Sequence, residues 1–260
     1  MKYGMPTLIE LPDIRDCAAL CHLLGLDFVE FNMNLPQYQP HTLDRNLLAQ
    51  AMREFGIFYT IHLDENMNVA DFNPYVTEGY FRTLRETIAL ARDLEIPVLN
   101  MHLSRGVHFT LPDRKVFLFD QFRQEYLENI RLFRDICADA IGNSGIRICL
   151  ENYSGYLDFQ KEAVRTLLES PAFGLTLDVG HDFCTDHIDL PLILENRDRL
   201  HHMHLHDVRG KQDHQALGTG ELDLHGCLDL AESCNCTVLL ETKTIAGLKQ
   251  SAEWKHRNRP

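Results

Sequence analysis

The chain has 260 residues, 45% of them hydrophobic and 24% charged, with Gly and Pro not in excess. That is an ordinary soluble globular composition, long enough for one large core, and no apolar stretch is long enough to span a bilayer. The formal charge of −13 repels polyanions and anionic lipid surfaces, which argues against nucleic acid and membranes as partners.

In chain order, short β-rich runs alternate with helical stretches, and no linker or low-complexity segment divides them. One domain over residues 1–260 is therefore expected. Strands are expected at Thr7–Glu10, Asp27–Asn32, Ile57–Leu63, Pro97–Leu103, Ile146–Glu151, Gly174–Asp178, Leu200–His206 and Thr237–Glu241. The helices that follow them are expected at 13–24, 43–55, 75–95, 116–140, 160–169, 188–197, 224–233 and 245–256. Gly25 and Gly56 stand just past two of these helices, as left-handed caps do. Eight such units in this length suggest an α/β fold closed into a (β/α)8 TIM barrel. A doubly wound open sheet is the alternative, but no glycine fingerprint follows the first strand. The segment Ser104–Asp120 is long for a βα loop, and at this face such loops are often lids.

Alternation along the strands carries more than their number. Side chains on a strand point alternately to its two faces. Leu99, Met101 and Leu103 oppose Asn100 and His102; Ile57, Tyr59, Ile61 and Leu63 oppose Thr60 and His62; Ile148 and Leu150 oppose Cys149 and Glu151. The sixth, seventh and eighth strands continue the pattern with Asp178, with His202, His204 and His206, and with Glu241. The apolar parity faces the helices. The other parity points into the barrel and becomes ionisable only at the C-terminal strand ends, where barrel enzymes build their sites. His62, His102, Glu151, Asp178, His204 and Glu241 thus gather at one mouth, with His181 and His214 just beyond. Such a set repels or neutralises itself unless a divalent cation is present, and mixed His/carboxylate ligation suits zinc or manganese.

Several residues keep two readings. His202 is expected deep in the barrel and His206 at the rim. Glu10 and Glu30 suit either substrate hydroxyls or salt bridges, and Lys243 either the surface or electrostatic help in the site. Gly218-Thr219-Gly220 is a phosphate cradle or a plain turn. The start, Met1-Lys2-Tyr3-Gly4-Met5-Pro6, lacks a signal peptide's apolar run, so the expected compartment is the cytoplasm. There the eight cysteines read as buried thiols, with a zinc shared by Cys17, Cys21, Cys234 and Cys236 as the alternative.

Leu150-Glu151-Asn152, Leu177-Asp178-Val179-Gly180-His181, Met203-His204-Leu205-His206-Asp207, His214-Gln215-Ala216-Leu217-Gly218-Thr219-Gly220-Glu221 and Leu240-Glu241-Thr242 together resemble the xylose isomerase-like barrel superfamily. Gly25-Leu26-Asp27-Phe28-Val29-Glu30 is similar to that family's second strand. The superfamily includes sugar isomerases and epimerases and the type-IV apurinic endonucleases. The resemblance implies that Glu151, Asp178, His204 and Glu241 bind a single metal, Mn2+ or Zn2+ first, with Mg2+ or Co2+ as other candidates. It implies that Glu151 and Glu241 also act as acid and base, and that His181 lines the substrate site. His62, His102 and His214, with Glu30 and Lys243, complete the expected substrate-binding set. His62, His102, His181 and His214 match further metal ligands of the endonucleases. One more endonuclease ligand, an aspartate, falls on Gln212, with Asp213 displaced by one position.

The leading expectation is a metal-dependent isomerase or epimerase of a small sugar, sugar phosphate or keto-polyol, working through an enediolate. Its partner is a small sugar-like molecule, and assembly into a homo-oligomer is compatible with it. The rivals are abasic-DNA phosphodiester hydrolysis and dehydration of a keto-inositol-type substrate.

Overall fold

The structure is a computed structural model and describes residues 1–259. Eight parallel strands close into a barrel: β1 (Lys2–Pro6), β2 (Phe28–Asn32), β3 (Phe58–His62), β4 (Val98–His102), β5 (Arg147–Glu151), β6 (Phe173–Asp178), β7 (Leu200–Leu205) and β8 (Thr237–Leu240). Each pairs with its neighbours in sequence, and β1 closes on β8 through Lys2 beside Thr237 and Tyr3 beside Val238. The outer layer is helical, with its longest members at Pro74–Asp93 and Arg123–Ile141. Asp13, Asp44, Asn73, Asp223 and Thr244 cap helix starts by accepting backbone N–H groups, which fixes where each helix begins. Gly56 ends its helix at φ 66°, and Gly25 follows its helix at φ 62°.

The first strand lies earlier than expected. It is Lys2–Pro6 rather than Thr7–Glu10. Gly4 and Pro6 look like breakers, yet each has a reason to be there. A Cβ on Gly4 would fall 2.2 Å from the Phe28 ring, so only glycine lets that ring fill the barrel interior. Pro6 is the last strand residue, and Thr7 N–H carries the pairing one step further to Glu30 O at 2.8 Å. Beyond it the chain turns, and Glu10 caps the helix Ile245–Asn258 by accepting the Ile245 N–H at 2.5 Å.

The expected helix at 116–140 is interrupted. Leu118–Gln121 and Arg123–Ile141 are separate helices, and Phe122 between them turns its ring onto Phe72. Ahead of them, Ser104–Asp120 holds a hairpin, His108–Thr110 against Lys115–Phe117. The other βα units have the expected order. All eight cysteines are free, and Cys17, Cys21 and Cys236 direct their thiols to separate backbone carbonyls. No helix among the described residues is long and apolar enough to cross a membrane.

Candidate metal centre and active site

Four adjacent strands bring their C-terminal ends to one point. Glu151 and Asp178 close β5 and β6, His204 stands one residue from the end of β7, and Glu241 follows β8. One ligand atom from each lies within 4.8 Å of those from the others. All four residues are buried, Glu241 being the most open at 8% exposure. Asp178 also caps the short helix Val179–Cys184, accepting the His181 N–H at 2.7 Å, and that turn carries His181 back over the mouth. Asn152 joins the two strands below it. Its amide donates to Asp178 O and accepts from Asp178 N–H, both at 2.9 Å.

His204 Nδ1 is the centre of the group, 3.1 Å from Glu241 Oε2, 3.4 Å from Glu151 Oε1 and 3.9 Å from Asp178 Oδ2. On the far side of Glu151, His102 and His62 place Nε2 3.1 and 3.3 Å from Oε2. His181 Nδ1 lies 3.6 Å from Glu151 Oε1 and 3.5 Å from Asp178 Oδ2. His214 is more distant, 4.0 Å from Glu241 Oε2, and Lys243 Nζ is 2.7 Å from Glu241 Oε1. His62, His102, Glu151, Asp178, His204 and Glu241 thus converge at one mouth of the barrel.

Burial opposes ionisation of Glu151 and Glu241, but the charges of His204 and its neighbours (His102 and His181 for Glu151, Lys243 for Glu241) together outweigh it and hold both well below the usual carboxylate range. Burial opposes charge on His204 in turn, and Glu151 and Glu241 override it, raising its pKa. His62 rises to about 9 against burial because of Glu151, and His181 to about 9 because of Asp178 and Glu151. Imidazolium charge thus balances the carboxylates. A cation would supply the same balance.

The donor set fits one. Both ring nitrogens of His204, His102 Nε2, His181 Nδ1 and Glu241 Oε2 are buried without a hydrogen-bond partner, which is costly for those facing the quartet unless something else occupies them. Two glutamates, an aspartate and an imidazole match a divalent ion of the zinc or manganese type.

Other residues sit where alternation could not place them. His206, expected at the rim, is fully buried, with Nε2 3.1 Å from both Asp178 oxygens and Nδ1 accepting the His214 N–H at 2.8 Å. Gly180 makes room for it, since a Cβ there would fall 2.0 Å from the His206 ring. Gln212 is exposed, whereas Asp213 Oδ2 reaches to 3.6 Å from His181 Nε2. Tyr153 escaped the strand pattern because it lies past the end of β5, yet its ring stacks on His102 at 4.6 Å. Asn100 donates to Glu151 Oε2, and its inward parity was the available signal. Glu30 lies one layer deeper, facing His202, His204 and Thr60. The Gly218-Thr219-Gly220 loop is a turn built around Asp207, whose carboxylate accepts the N–H groups of Val208, Gly218, Gly220 and Leu222.

Two cavities flank the centre. One of about 220 Å³ lies over β1, β2 and β8, with Thr7, Asn32, Glu241 and Lys243 on its walls. The other, of about 290 Å³, lies over β4 and β5 and is lined by His102, Arg105, Glu151, Tyr153 and Ser154. Arg105 also donates to the Ser154 and Gly155 carbonyls, tying the long loop to β5. Each cavity is below the roughly 300–1,000 Å³ of sites for drug-sized ligands, a scale that suits a small molecule.

Among solved structures, the fold matches a D-tagatose 3-epimerase-like protein at TM-score 0.79, with 20% identity over 99% of this chain and 96% of that one. It also matches a 3-keto-D-glucoside 4-epimerase from E. coli at TM-score 0.76, with 17% identity and 99% of both chains covered. A probable 3-DHS dehydratase from Bacillus anthracis matches at TM-score 0.72, with 14% identity and 100% of both chains covered. No curated protein matches the chain in sequence. The model of the xylose isomerase-like TIM barrel family matches residues 18–256, and the chain belongs to that family.

Proposed function

We propose that this protein is a divalent-metal-dependent isomerase or epimerase of a small sugar, sugar phosphate or keto-polyol, working by proton transfer. The observation that carries this reading is the convergence of Glu151, Asp178, His204 and Glu241 within 4.8 Å, with the two glutamates opening on different cavities. The epimerases among the structural neighbours support the same class. These four residues would hold the ion, which when bound supplies Lewis-acid stabilisation of charge developing on a substrate oxygen.

The chain's own residues do the rest. A substrate bridging the two cavities has Glu241 toward one side and Glu151 toward the other. One carboxylate removes the proton next to the carbonyl, and the other returns a proton at the opposite face. His181, His62 and His102 offer ring N–H donors to substrate oxygens, and Lys243 and His214 bound the Glu241 side. Tyr153 presents a 55%-exposed ring beside His102, a face for the apolar side of a sugar.

The test is isotope exchange. Metal-loaded protein is incubated in heavy water with a panel of ketopentoses, ketohexoses and their phosphates. Deuterium at the carbon next to the carbonyl is the expected outcome, together with loss of turnover on chelation. Turnover with no solvent label, and hydrogen passing between adjacent carbons, would replace proton transfer with a hydride shift.

A second reading, hydrolysis at abasic DNA, draws on the groups His62–His102–Glu151 and His181–His206–His214, each geometrically able to hold an ion. The charge of −13 opposes it, because duplex binding depends on cationic contacts. An abasic duplex is expected to be neither bound tightly nor cut at physiological salt, and efficient incision would reverse this order.

A further inference from the structure

One layer below the ligand quartet lies a second polar group that the proposed chemistry does not use. Glu30 projects inward from the middle of β2 and is 2% exposed, and His202 and His204 project inward from β7 and are fully buried. Thr60 stands beside Glu30 in the strand register, and Thr237 beside His202. Glu30 Oε2 accepts the Thr60 hydroxyl at 2.8 Å and lies 3.2 Å from His202 Nε2. Its other oxygen, Oε1, is 3.3 Å from His204 Nε2. His202 Nδ1 is 2.6 Å from Thr237 Oγ1.

We propose that Glu30 is the positioning residue that fixes His204 with its proton on Nε2 and its Nδ1 lone pair turned to the ligand quartet, with His202, Thr60 and Thr237 as its outer support. The inference rests on the reading of His204 as a metal ligand and deepens it.

A neutral imidazole has one N–H donor and one acceptor nitrogen. As a ligand His204 must present a lone pair at Nδ1, the nitrogen nearest Glu241, Glu151 and Asp178. Its proton then sits on Nε2, in a fully buried place where an unpaired donor is costly. The acceptor in reach is Glu30 Oε1. The same logic runs outward. His202 directs Nε2–H at Glu30 Oε2, so its Nδ1 accepts from the Thr237 hydroxyl, and Thr60 donates to Glu30 from the side. The His202, Thr60 and Thr237 links are formed, whereas His204 Nε2 stands 3.3 Å from Glu30 Oε1 without hydrogen-bonding alignment, and Glu30 is the acceptor placed to take its proton when the ring turns Nδ1 to an ion.

Reversing any link opposes two lone pairs or two protons. A carboxylate behind a ligating histidine also raises the basicity of the ring and holds its orientation. Glu30 reaches this place from β2, a strand that contributes no member of the quartet. The barrel's far wall thereby holds a ligand that β7 carries.

The experiment compares zinc and manganese dissociation constants of the full-length protein with those of Glu30→Gln and Thr237→Val, by competition with a chelating dye. Glutamine keeps the shape of Glu30 but has one acceptor oxygen where two are needed, so metal binding should weaken roughly 10–100-fold. Thr237→Val, two links further out, should weaken it by less, in the same direction. Melting of the metal-free proteins is recorded in parallel, because a purely structural role would lower that melting and leave the dissociation constants unchanged. Nitrogen-15 NMR of the zinc-loaded, unaltered protein provides a readout independent of any variant. The His204 ring proton should appear on Nε2 with the downfield shift of a bond to a carboxylate. Unaltered affinity in both variants, or an Nε2 proton without that shift, overturns the role of Glu30. Failure of the unaltered protein to bind either metal overturns instead the reading on which the inference rests.

Discussion

The two glutamates of the quartet have the same side chain and nearly the same depth, but the walls around them differ. Glu151 sits in a nest on the β3–β5 side. Asn100 donates to it, and His62, His102, His181 and His204 all place ring nitrogens within 3.6 Å of its oxygens. Glu241, on the β8 side, has His204 at 3.1 Å and Lys243 at 2.7 Å, and its Oε2 lacks a hydrogen-bond partner. One carboxylate is enclosed by diffuse imidazole donors, the other is held by a point charge beside an open cavity. Symmetry of residue type does not give symmetry of function: the two differ in what sets their basicity and in which neighbours can change it.

Asp178 belongs to neither wall and serves both, so its loss should have the largest effect. Asp178→Ala removes a proposed ligand and the cap that orients His181. Metal affinity should fall beyond the roughly 100-fold upper range of changes to supporting residues, measured by elemental analysis after dialysis. Retention of one ion per chain would mean that the walls hold it without a centre.

Glu151→Gln and Glu241→Gln come next. Each should lower turnover by about 10²–10⁴-fold, the range of a lost acid–base group, with metal content measured alongside. The sharper readout is directional. Each variant should still exchange solvent deuterium into one epimer of a substrate pair and fail with the other, with opposite preferences for the two variants. Equal loss with both epimers would erase the division of labour between the walls.

Lys243→Met tests the point charge. Opposite charge within about 4–6 Å lowers a carboxyl pKa by about 1–3 units, and Lys243 is among the groups lowering Glu241. Its removal raises the pKa of Glu241. A carboxylate acting as base must be ionised, so the acid limb of kcat/KM should move to higher pH by about one unit. A limb that stays in place would assign it to the imidazole nest.

The smallest effect is expected at Tyr153. Its stacking on His102 is of the kind worth about 0.5–1.5 kcal/mol, so Tyr153→Leu should raise KM several-fold with kcat little changed. A loss confined to kcat would place the ring nearer the reacting atoms.

Much of this was legible in the chain. Inward parity at the strand ends picks out His62, His102, Glu151, Asp178 and Glu241, while His204 shares its parity with His202 and His206 and is singled out only by the Met203-His204-Leu205-His206-Asp207 resemblance. What parity cannot supply is anything beyond a strand end. Tyr153 and Asn152 lie in the turn after β5, and the burial of His206 depends on Gly180 leaving space in the next helix. The first strand was displaced for the opposite reason. Gly4 and Pro6 carry breaker signals that only the Phe28 ring and the end of the strand explain. Phe122 gave no breaker signal at all, and its packing on Phe72 is a tertiary effect. The depth of Glu30 was equally hidden, since one position on β2 can face a substrate or another strand's histidine.

Asp207 has a consequence for how this protein tolerates change. Its carboxylate takes four backbone N–H groups, from Val208 to Leu222, and so ties the first strand of the hairpin Asp207–Arg209 and Gln212–Gln215 to the loop that leaves the second. The tip at Gly210-Lys211 is exposed and lies outside that tie. Residues inserted there would lengthen the hairpin without moving its feet or the path that delivers His214. The tip is therefore a natural place for a reporter peptide or an added recognition loop, while Asp207 itself should tolerate no replacement that brings an N–H donor of its own.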